Sequence, residues 1–330
     1  MGIKHLNRFI KKNSPSALTL VSLSELNGKK IAVDISIYMY RYLSEETLIE
    51  NMYLMLSVFR YYNIIPIFIF DGKPPHEKIS LLKQRKIDKK DAEQEYNSLK
   101  DELETNSNKL HENDKREILE IMDSLKKKFC QINRKDIEAV KSLIRCYGAT
   151  YYDAPGEADE LCALLTIKEK VWACLSEDMD MFVYGCPRVI RYMSLLNHTA
   201  IVYDTKKIID GLDMSQKELR EICVLSGTDY NTHKRNLYNI LEEFKKYKEY
   251  KQNKEEGNNI LTFYDWLIQK TDYIKDEELF RKIYNMFHLD ENSSVDMKYF
   301  ENIRICYGPI IKSEMKAILQ EDGFIFPLRN

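Results

Sequence analysis

Carboxylates recur where apolar runs stop. Val171-Trp172-Ala173-Cys174-Leu175-Ser176-Glu177-Asp178-Met179-Asp180 is an apolar stretch closed by three acids within four positions. Lys30-Ile31-Ala32-Val33-Asp34 and Ile64-Ile65-Pro66-Ile67-Phe68-Ile69-Phe70-Asp71 end in the same way. Short, uninterrupted apolar runs read as strands buried on both faces of a parallel sheet, and such sheets collect ligands at the carboxyl ends of their strands. Glu157 and Asp159 open a further segment after Ala154-Pro155-Gly156, and Asp229 lies two residues beyond Gly227. Acids in a first helical turn are ordinary, because they complement the helix dipole. Acids at several strand ends as well are hard to treat as independent accidents, and like charges facing one point repel unless a cation sits between them.

The candidate metal ligands are therefore Asp34, Asp71, Glu157, Asp159, Asp178, Asp180 and Asp229. An all-oxygen donor set, with no Cys or His nearby in sequence, selects a hard ion: magnesium, with manganese able to replace it. Two ions ~3.5–4 Å apart would clamp a phosphodiester for in-line attack. If the chain stays extended after Leu175, alternate residues share a side, which pairs Asp178 with Asp180 and turns Glu177 away. Glu157 and Asp159 do not share a helical face and would serve the ions differently. A calcium loop starting at Asp178 is excluded, since Val183 and Val189 stand where Gly and an acid are required. Neither a CxxC pair nor HExxH supports zinc.

These acids need elements to position them. A short amphipathic helix over residues 3–11 opens the chain, with Leu6, Phe9 and Ile10 on one face and Pro15 as its stop. Helical stretches, including 48–62, separate the runs ending at Asp34 and Asp71, and a strand-helix-strand order puts both acids on one sheet edge. Residues 136–147 read as a helix stopped by Gly148, 149–153 as a strand, and 189–192 and 200–203 as two more. A helix over 216–225 leads into the Asp229 turn, and 231–330 reads as charged and aromatic helices. The similar strings Arg145-Cys146-Tyr147-Gly148 and Ile305-Cys306-Tyr307-Gly308 read as coincidence, not as a repeat.

From His76 to about Lys128 the composition turns to Lys, Glu, Asp, Asn and Gln, which fits a solvated pair of long helices laced by i,i+4 ion pairs. Its start concentrates Lys78, Lys83, Arg85, Lys86, Lys89 and Lys90 just beyond Asp71, and positive charge beside a metal site suits a phosphodiester. Lys78 and Arg85 are seven apart, two turns of one helix face.

Composition bounds the rest. The chain has 330 residues, 44% hydrophobic and 31% charged, with a net charge of −2, so overall balance selects no polyanionic partner and local clusters must. Seven widely spaced cysteines fit reduced core thiols. No apolar run approaches the ~18 residues of a membrane span. No signal peptide is expected, and Leu6 stands where myristoylation after Met1-Gly2 wants Ser or Thr. The expectation from these features is an intracellular protein that is not secreted.

Met1-Gly2-Ile3, Val33-Asp34-Ile35-Ser36, Phe70-Asp71-Gly72-Lys73-Pro74-Pro75, Ala154-Pro155-Gly156-Glu157-Ala158-Asp159, Ser176-Glu177-Asp178-Met179-Asp180 and Gly227-Thr228-Asp229-Tyr230 resemble, in order, the motifs of the flap endonuclease (XPG-type) family across roughly residues 1–240. The resemblance implies an α/β fold: a PIN-like twisted, mostly parallel sheet flanked by helices, with a helical arch and a C-terminal helix-two-turn-helix region. It divides the chain into a nuclease core in two parts, 1–75 and 131–230, an arch at 76–130 and a helical DNA-binding region at 231–330. It implies magnesium-dependent 5′ nuclease activity on DNA with 5′ flaps, nicks or single-stranded branches, in replication and repair, by a monomer working in the nucleus or at a cytoplasmic site of DNA replication. Lys78 and Arg85 take the places of the basic pair on the scissile phosphate, and Tyr40 that of the aromatic on which the terminal base stacks. Gly2, Lys83, Lys86, Lys234 and Arg235 join Tyr40 as expected DNA contacts.

Three positions depart from the pattern. Asp159 stands where cellular eukaryotic members carry Glu. Asn231-Thr232-His233-Lys234-Arg235-Asn236 stands in place of the glycine-rich turn, which leaves the usual potassium site open and offers Lys234 and Arg235 as electrostatic substitutes for its grip on phosphate. Gln320 to Phe326 only distantly imitates a sliding-clamp peptide, so a clamp contact stays open. The departures fit a divergent member, a viral one included. The rival readings are an exonuclease, a Holliday-junction or RNA-directed nuclease of the same fold, and a catalytically silent nucleic-acid-binding scaffold.

Overall fold

The structure is a computed structural model that describes residues 3–106, 112–231, 236–253, 261–271, 273, 274, 276–289 and 297–326. Packing divides the chain into two compact units: Met1–Ile35, Val58–Glu77 and Thr150–Cys306 form the first, and Ser36–Ser57, Lys78–Ala149 and Tyr307–Asn330 the second.

The first unit is built on one mixed sheet of β1 (Leu18–Ser22), β2 (Lys30–Asp34), β3 (Ile65–Phe70), β4 (Thr150–Asp153), β5 (Ala173–Leu175), β6 (Arg188–Ser194) and β7 (Thr199–Asp204), in the order β1-β7-β6-β5-β2-β3-β4. The five strands β6, β5, β2, β3 and β4 run parallel, and β7 and β1 close one side in antiparallel pairs. Central β2 is apolar and buried from Ile31 to Val33, as a strand covered on both faces must be. From β2 the chain steps to β3 and β4 on one side and later returns to place β5 on the other, so a topological switch lies between β2 and β5. Register sets Asp34 opposite Ile69 and Val33 opposite Leu175, which brings three acid-bearing strand ends to one edge.

The expected helices Leu6–Asn13, which buries Leu6 and Ile10, Ala158–Ile167, Gln216–Ser226 and Leu237–Gln252 are present, and Thr205–Leu212 is a further helix that the sequence reading did not place. Their apolar faces merge with the sheet in one core that includes Leu161, Leu164, Phe182, Ile222 and Phe244. Sequence reasoning placed no element at Leu18–Ser22, because an edge strand with Leu20 mostly exposed lacks a clean alternation. No helix among the described residues is long and apolar enough to cross a membrane. All seven cysteines are free, five of them buried.

In the second unit the charged segment forms two helices, Ile79–Asn106 and Glu112–Phe129, that pack on each other. Their apolar contact is thin: Ala92, Met122 and Leu125 are buried, and Tyr96 meets Phe129 edge-on. Lys127 pairs with Asp123 at i,i+4, an exposed contact of the expected kind. The two Cys-Tyr-Gly strings, which read as coincidence, lie against each other. Gly308 N–H donates to Gly148 O at 2.8 Å, and Ala149 bridges Tyr307. A Cβ on Gly148, whose φ is +64°, would stand 2.6 Å from Gly308, so the backbones approach this closely because residue 148 is glycine.

One buried acid of the first unit carries no structural partner on its outer oxygen. Glu221, on the Gln216–Ser226 helix, is 2% exposed, and its Oε2 has no hydrogen-bond partner among the described residues. Burial pushes its carboxyl up from 4.5 to about 7, with Lys217 opposing and Glu218 adding. A raised folded-state value means that the native protein holds a proton that the unfolded chain releases, so stability falls as pH rises from about 4.5 through 7. Glu221→Gln should therefore stabilise the protein by ~1–3 kcal/mol at pH 8 and by far less at pH 5. Urea denaturation at the two pH values tests this; an equal effect at both would show that ionisation of Glu221 costs nothing.

Candidate metal centre

Asp34 ends β2 and is buried, and its Oδ2 accepts a hydrogen bond from Ser176 Oγ at 3.0 Å across the β2–β5 switch. Asp71 is the first residue past β3. It is exposed, and its Oδ1 accepts from Ala158 N–H at 2.9 Å, where the Ala158–Ile167 helix begins. That bond ties a strand end to a helix start and orients both. Glu157 is the N-cap residue of this helix but does not cap it; its carboxylate accepts instead from the Tyr230 hydroxyl. Asp159 occupies the first turn.

Asp178 and Asp180 are brought together by a route that differs from the expected one. The strand stops at Leu175, and Asp180 is the first residue of a short helix, Asp180–Tyr184, so alternation along an extended chain does not apply. The pair is instead joined by a hydrogen bond from Asp180 N–H to Asp178 Oδ1 at 3.0 Å, and both side chains are buried. Glu177 is turned away for a physical reason: it accepts from Tyr192 N–H at 2.7 Å and stands 3.6 Å from Arg191 Nε.

The electrostatics mark the cluster. Burial, followed by the charge of Asp71, pushes Asp34 up to about 7, with Ser176 opposing and Asp178 adding. Asp159 is raised well above its ordinary value, first by burial and then by Asp34, Asp178, Asp71 and Asp180. Five carboxylates thus lie close enough to hinder one another's ionisation, and the leading charged influences on both residues are other acids. No group of three or more His, Cys, Asp or Glu among the described residues stands as a finished cage. The donor chemistry nonetheless fits a hard divalent ion, since buried, mutually repelling oxygens need positive charge between them.

Asp229 is half-buried on the turn that follows the Gln216–Ser226 helix. Asn231 builds that turn in place of a glycine-rich one: its Oδ1 accepts from Thr228 N–H at 2.9 Å and from Thr228 Oγ1, and its Nδ2 donates to Val224 O. The turn carries Tyr230 to Glu157. Ser176, Tyr230 and Asn231 are the residues that sequence reasoning passed over. A hydroxyl directly after a buried strand was the available signal for Ser176, whereas nothing local shows that Tyr230 meets a glutamate 73 positions away.

The expected basic residues belong to the second unit. Lys78 closes a 3₁₀ turn, His76–Lys78, and Arg85 lies within Ile79–Asn106, so the two are not on one helix as their spacing suggested. Pro74 and Pro75 just upstream delay the helix start. Lys83 and Lys86 are exposed. Tyr40 is 45% exposed on Ile35–Ser44, with Lys89 Nζ 5.0 Å from its ring centroid. Gly2, Lys234 and Arg235 lie outside the described residues.

Comparison with known proteins bears on the family and the fold. Residues 1–92 match the XPG N-terminal domain and residues 148–229 the XPG I-region, together more than half of the chain. Flap endonuclease 1 of Candida tropicalis is 32% identical over 251 residues, covering 70% of this chain and 63% of the relative. The Lodderomyces elongisporus protein of the same name is 30% identical over 249 residues, covering 70% and 61%. The chain thus matches about three fifths of the length of these relatives. A solved structure of the catalytic core of Rad2 in complex with DNA substrate superposes with a TM-score of 0.65 at 19% identity, covering 97% of this chain and 95% of that one, a likeness of fold. With its PIN-like sheet, its motifs in order and its curated relatives, the chain belongs to the XPG-type flap endonuclease family.

Proposed function

We propose that the protein is a divalent-metal-dependent, structure-specific 5′ nuclease that hydrolyses phosphodiesters of DNA carrying 5′ flaps, nicks or single-stranded branches. The observation that carries this reading is the convergence of Asp34, Asp71, Asp159, Asp178 and Asp180 at the carboxyl edge of three parallel strands. In it, Asp34, Asp71, Asp159, Asp178 and Asp180 hold two magnesium ions, or manganese in their place, with Glu157 and Asp229 completing the set. When bound, the ions supply the positive charge that draws phosphate oxygens in and acidifies the attacking water.

The protein's own groups do the positioning. Ser176 fixes the rotamer of Asp34, and Ala158 N–H fixes that of Asp71. Tyr230 holds Glu157 toward the cluster. Lys78 and Arg85 bind the scissile phosphate and offset charge on its non-bridging oxygens. Tyr40 offers an exposed ring for the terminal base, and Gly2, Lys83, Lys86, Lys234 and Arg235 grip the backbone. Residues 1–75 and 131–230 form the nuclease core, 76–130 the arch and 231–330 the duplex-binding region of a monomer acting in replication and repair. The relatives named flap endonuclease 1 and the DNA complex of Rad2 support the choice of substrate.

Purified protein with magnesium should cut a 5′-flap substrate faster than nicked, four-way-junction or single-stranded DNA, and EDTA should stop the reaction. No cleavage of any of these would sink the enzyme reading, and preference for the junction would reassign the substrate. Asp178→Ala should abolish cleavage while DNA binding stays within a few-fold, because a metal ligand and not a phosphate contact is lost; full activity would remove Asp178 from the site. Lys78→Ala and Arg85→Ala should each slow single-turnover cleavage by ~10²-fold or more. Unchanged rates would separate these residues from the chemistry.

A further inference from the structure

The amino ends of β2, β5 and β6 carry a second concentration of charge, opposite in sign to the first and at the other end of the same strands. Lys30 begins β2, Trp172 immediately precedes β5, and Arg188 begins β6. Lys30 and Asp34 are the two ends of one strand, ~13 Å apart at the usual rise per residue. The recess at this end measures about 470 Å³, within the size range of small-ligand sites. Among its lining residues are Lys29, Lys30, Lys170 and Arg188, and the one acid is Glu169.

The cations are organised around a ring. Lys29 Nζ and Arg188 Cζ each lie 5.3 Å from the centroid of Trp172, whose backbone N–H donates to Lys30 O at 2.8 Å. Arg188 also donates to Trp172 O at 3.2 Å, and Lys170 donates to Phe300 O at 2.5 Å. Among the described residues none of the four cations lies within ion-pair distance of a carboxylate. Carbonyl and ring contacts, not ion pairs, position Lys29, Lys170 and Arg188. Burial first, and then Arg304, lower the affinity of Lys170 for a proton, with Glu301 opposing. Four cations without an ion-pair partner among the described residues, beside a partly buried indole, are the parts of a site for a multiply charged anion with a planar group.

We propose that the recess around Trp172 is a second phosphate-binding site, separate from the acid cluster, that takes a phosphate-bearing ligand of nucleotide size: a free nucleotide or one unit of a single strand. Cations on the ends of three different strands converge on the phosphate, and the indole contacts the base. The site lies outside the proposed nuclease chemistry, so occupancy needs no divalent ion.

Trp172 reports on its own site. The chain's other tryptophan, Trp266, is 7% exposed within an aromatic cluster of Tyr247 and Phe263, and the same titration of Trp172→Phe measures its share of the signal, which is subtracted. Tryptophan emission of the full chain in EDTA, which prevents cleavage, is titrated with pyrophosphate, with ADP and with a ten-nucleotide oligothymidylate. Saturable quenching by ADP and pyrophosphate assigns a free nucleotide; quenching by the oligonucleotide alone, weakening as salt rises, assigns a strand. In either case the Lys29→Ser/Arg188→Ser variant should bind at least ~10-fold more weakly. Lys29→Arg should retain binding, and circular dichroism should be unchanged in both variants. Absence of saturable quenching by all three ligands overturns the proposal, as does quenching that survives in the double variant. Equal quenching by a hexaglutamate peptide overturns the assignment to phosphate.

Discussion

Mutual repulsion among carboxylates is the constraint on which the first unit depends. Asp34 and Asp159 each resist ionisation because burial and neighbouring acids make the charged form expensive. A flexible chain would relieve this by letting the side chains separate. Here the acids are attached to a sheet whose central strands are buried and paired on both sides, so their backbones cannot move apart without breaking β2 from β3 or β5. The repulsion is thereby converted into affinity for positive charge.

Smaller devices hold individual acids against that repulsion. Backbone N–H groups at two helix starts donate to Asp71 and Asp178, where the positive end of a helix dipole favours a carboxylate. Ser176 links the two central strand ends by donating to Asp34 and accepting from Asp178 N–H at 3.1 Å. Asn231 supplies from one amide side chain the turn that glycines would otherwise shape, and so sets Tyr230 against Glu157. The same strands bear cations around Trp172 at their other ends, which gives the sheet two poles of opposite charge.

Much of this was legible along the chain because strand burial and strand termination are local properties. An apolar run closed by an acid states both the strand and the position of its carboxylate, which is why Asp34 and Asp71 fall where the pattern put them. The long charged segment lacks enough apolar surface for anything but a solvated helix pair, and that is its structure. Local pattern failed where a partner supplies the order. Leu18–Ser22 is a strand because β7 pairs with it, and the Gly148 and Gly308 strings meet although their likeness alone implied no contact.

The sequence by itself determined the acid-ended apolar runs, the family motifs and the parallel core, since each follows from residue types and short-range spacing. Only the tertiary structure decided how the acids meet. Asp178 and Asp180 are joined across a strand-to-helix turn and not along an extended chain, Lys78 precedes the helix that carries Arg85, and Glu177 is diverted by Arg191 and Tyr192. These outcomes depend on where each strand gives way to a turn or helix and on which neighbouring strand lies beside it, and sheet pairing sets both.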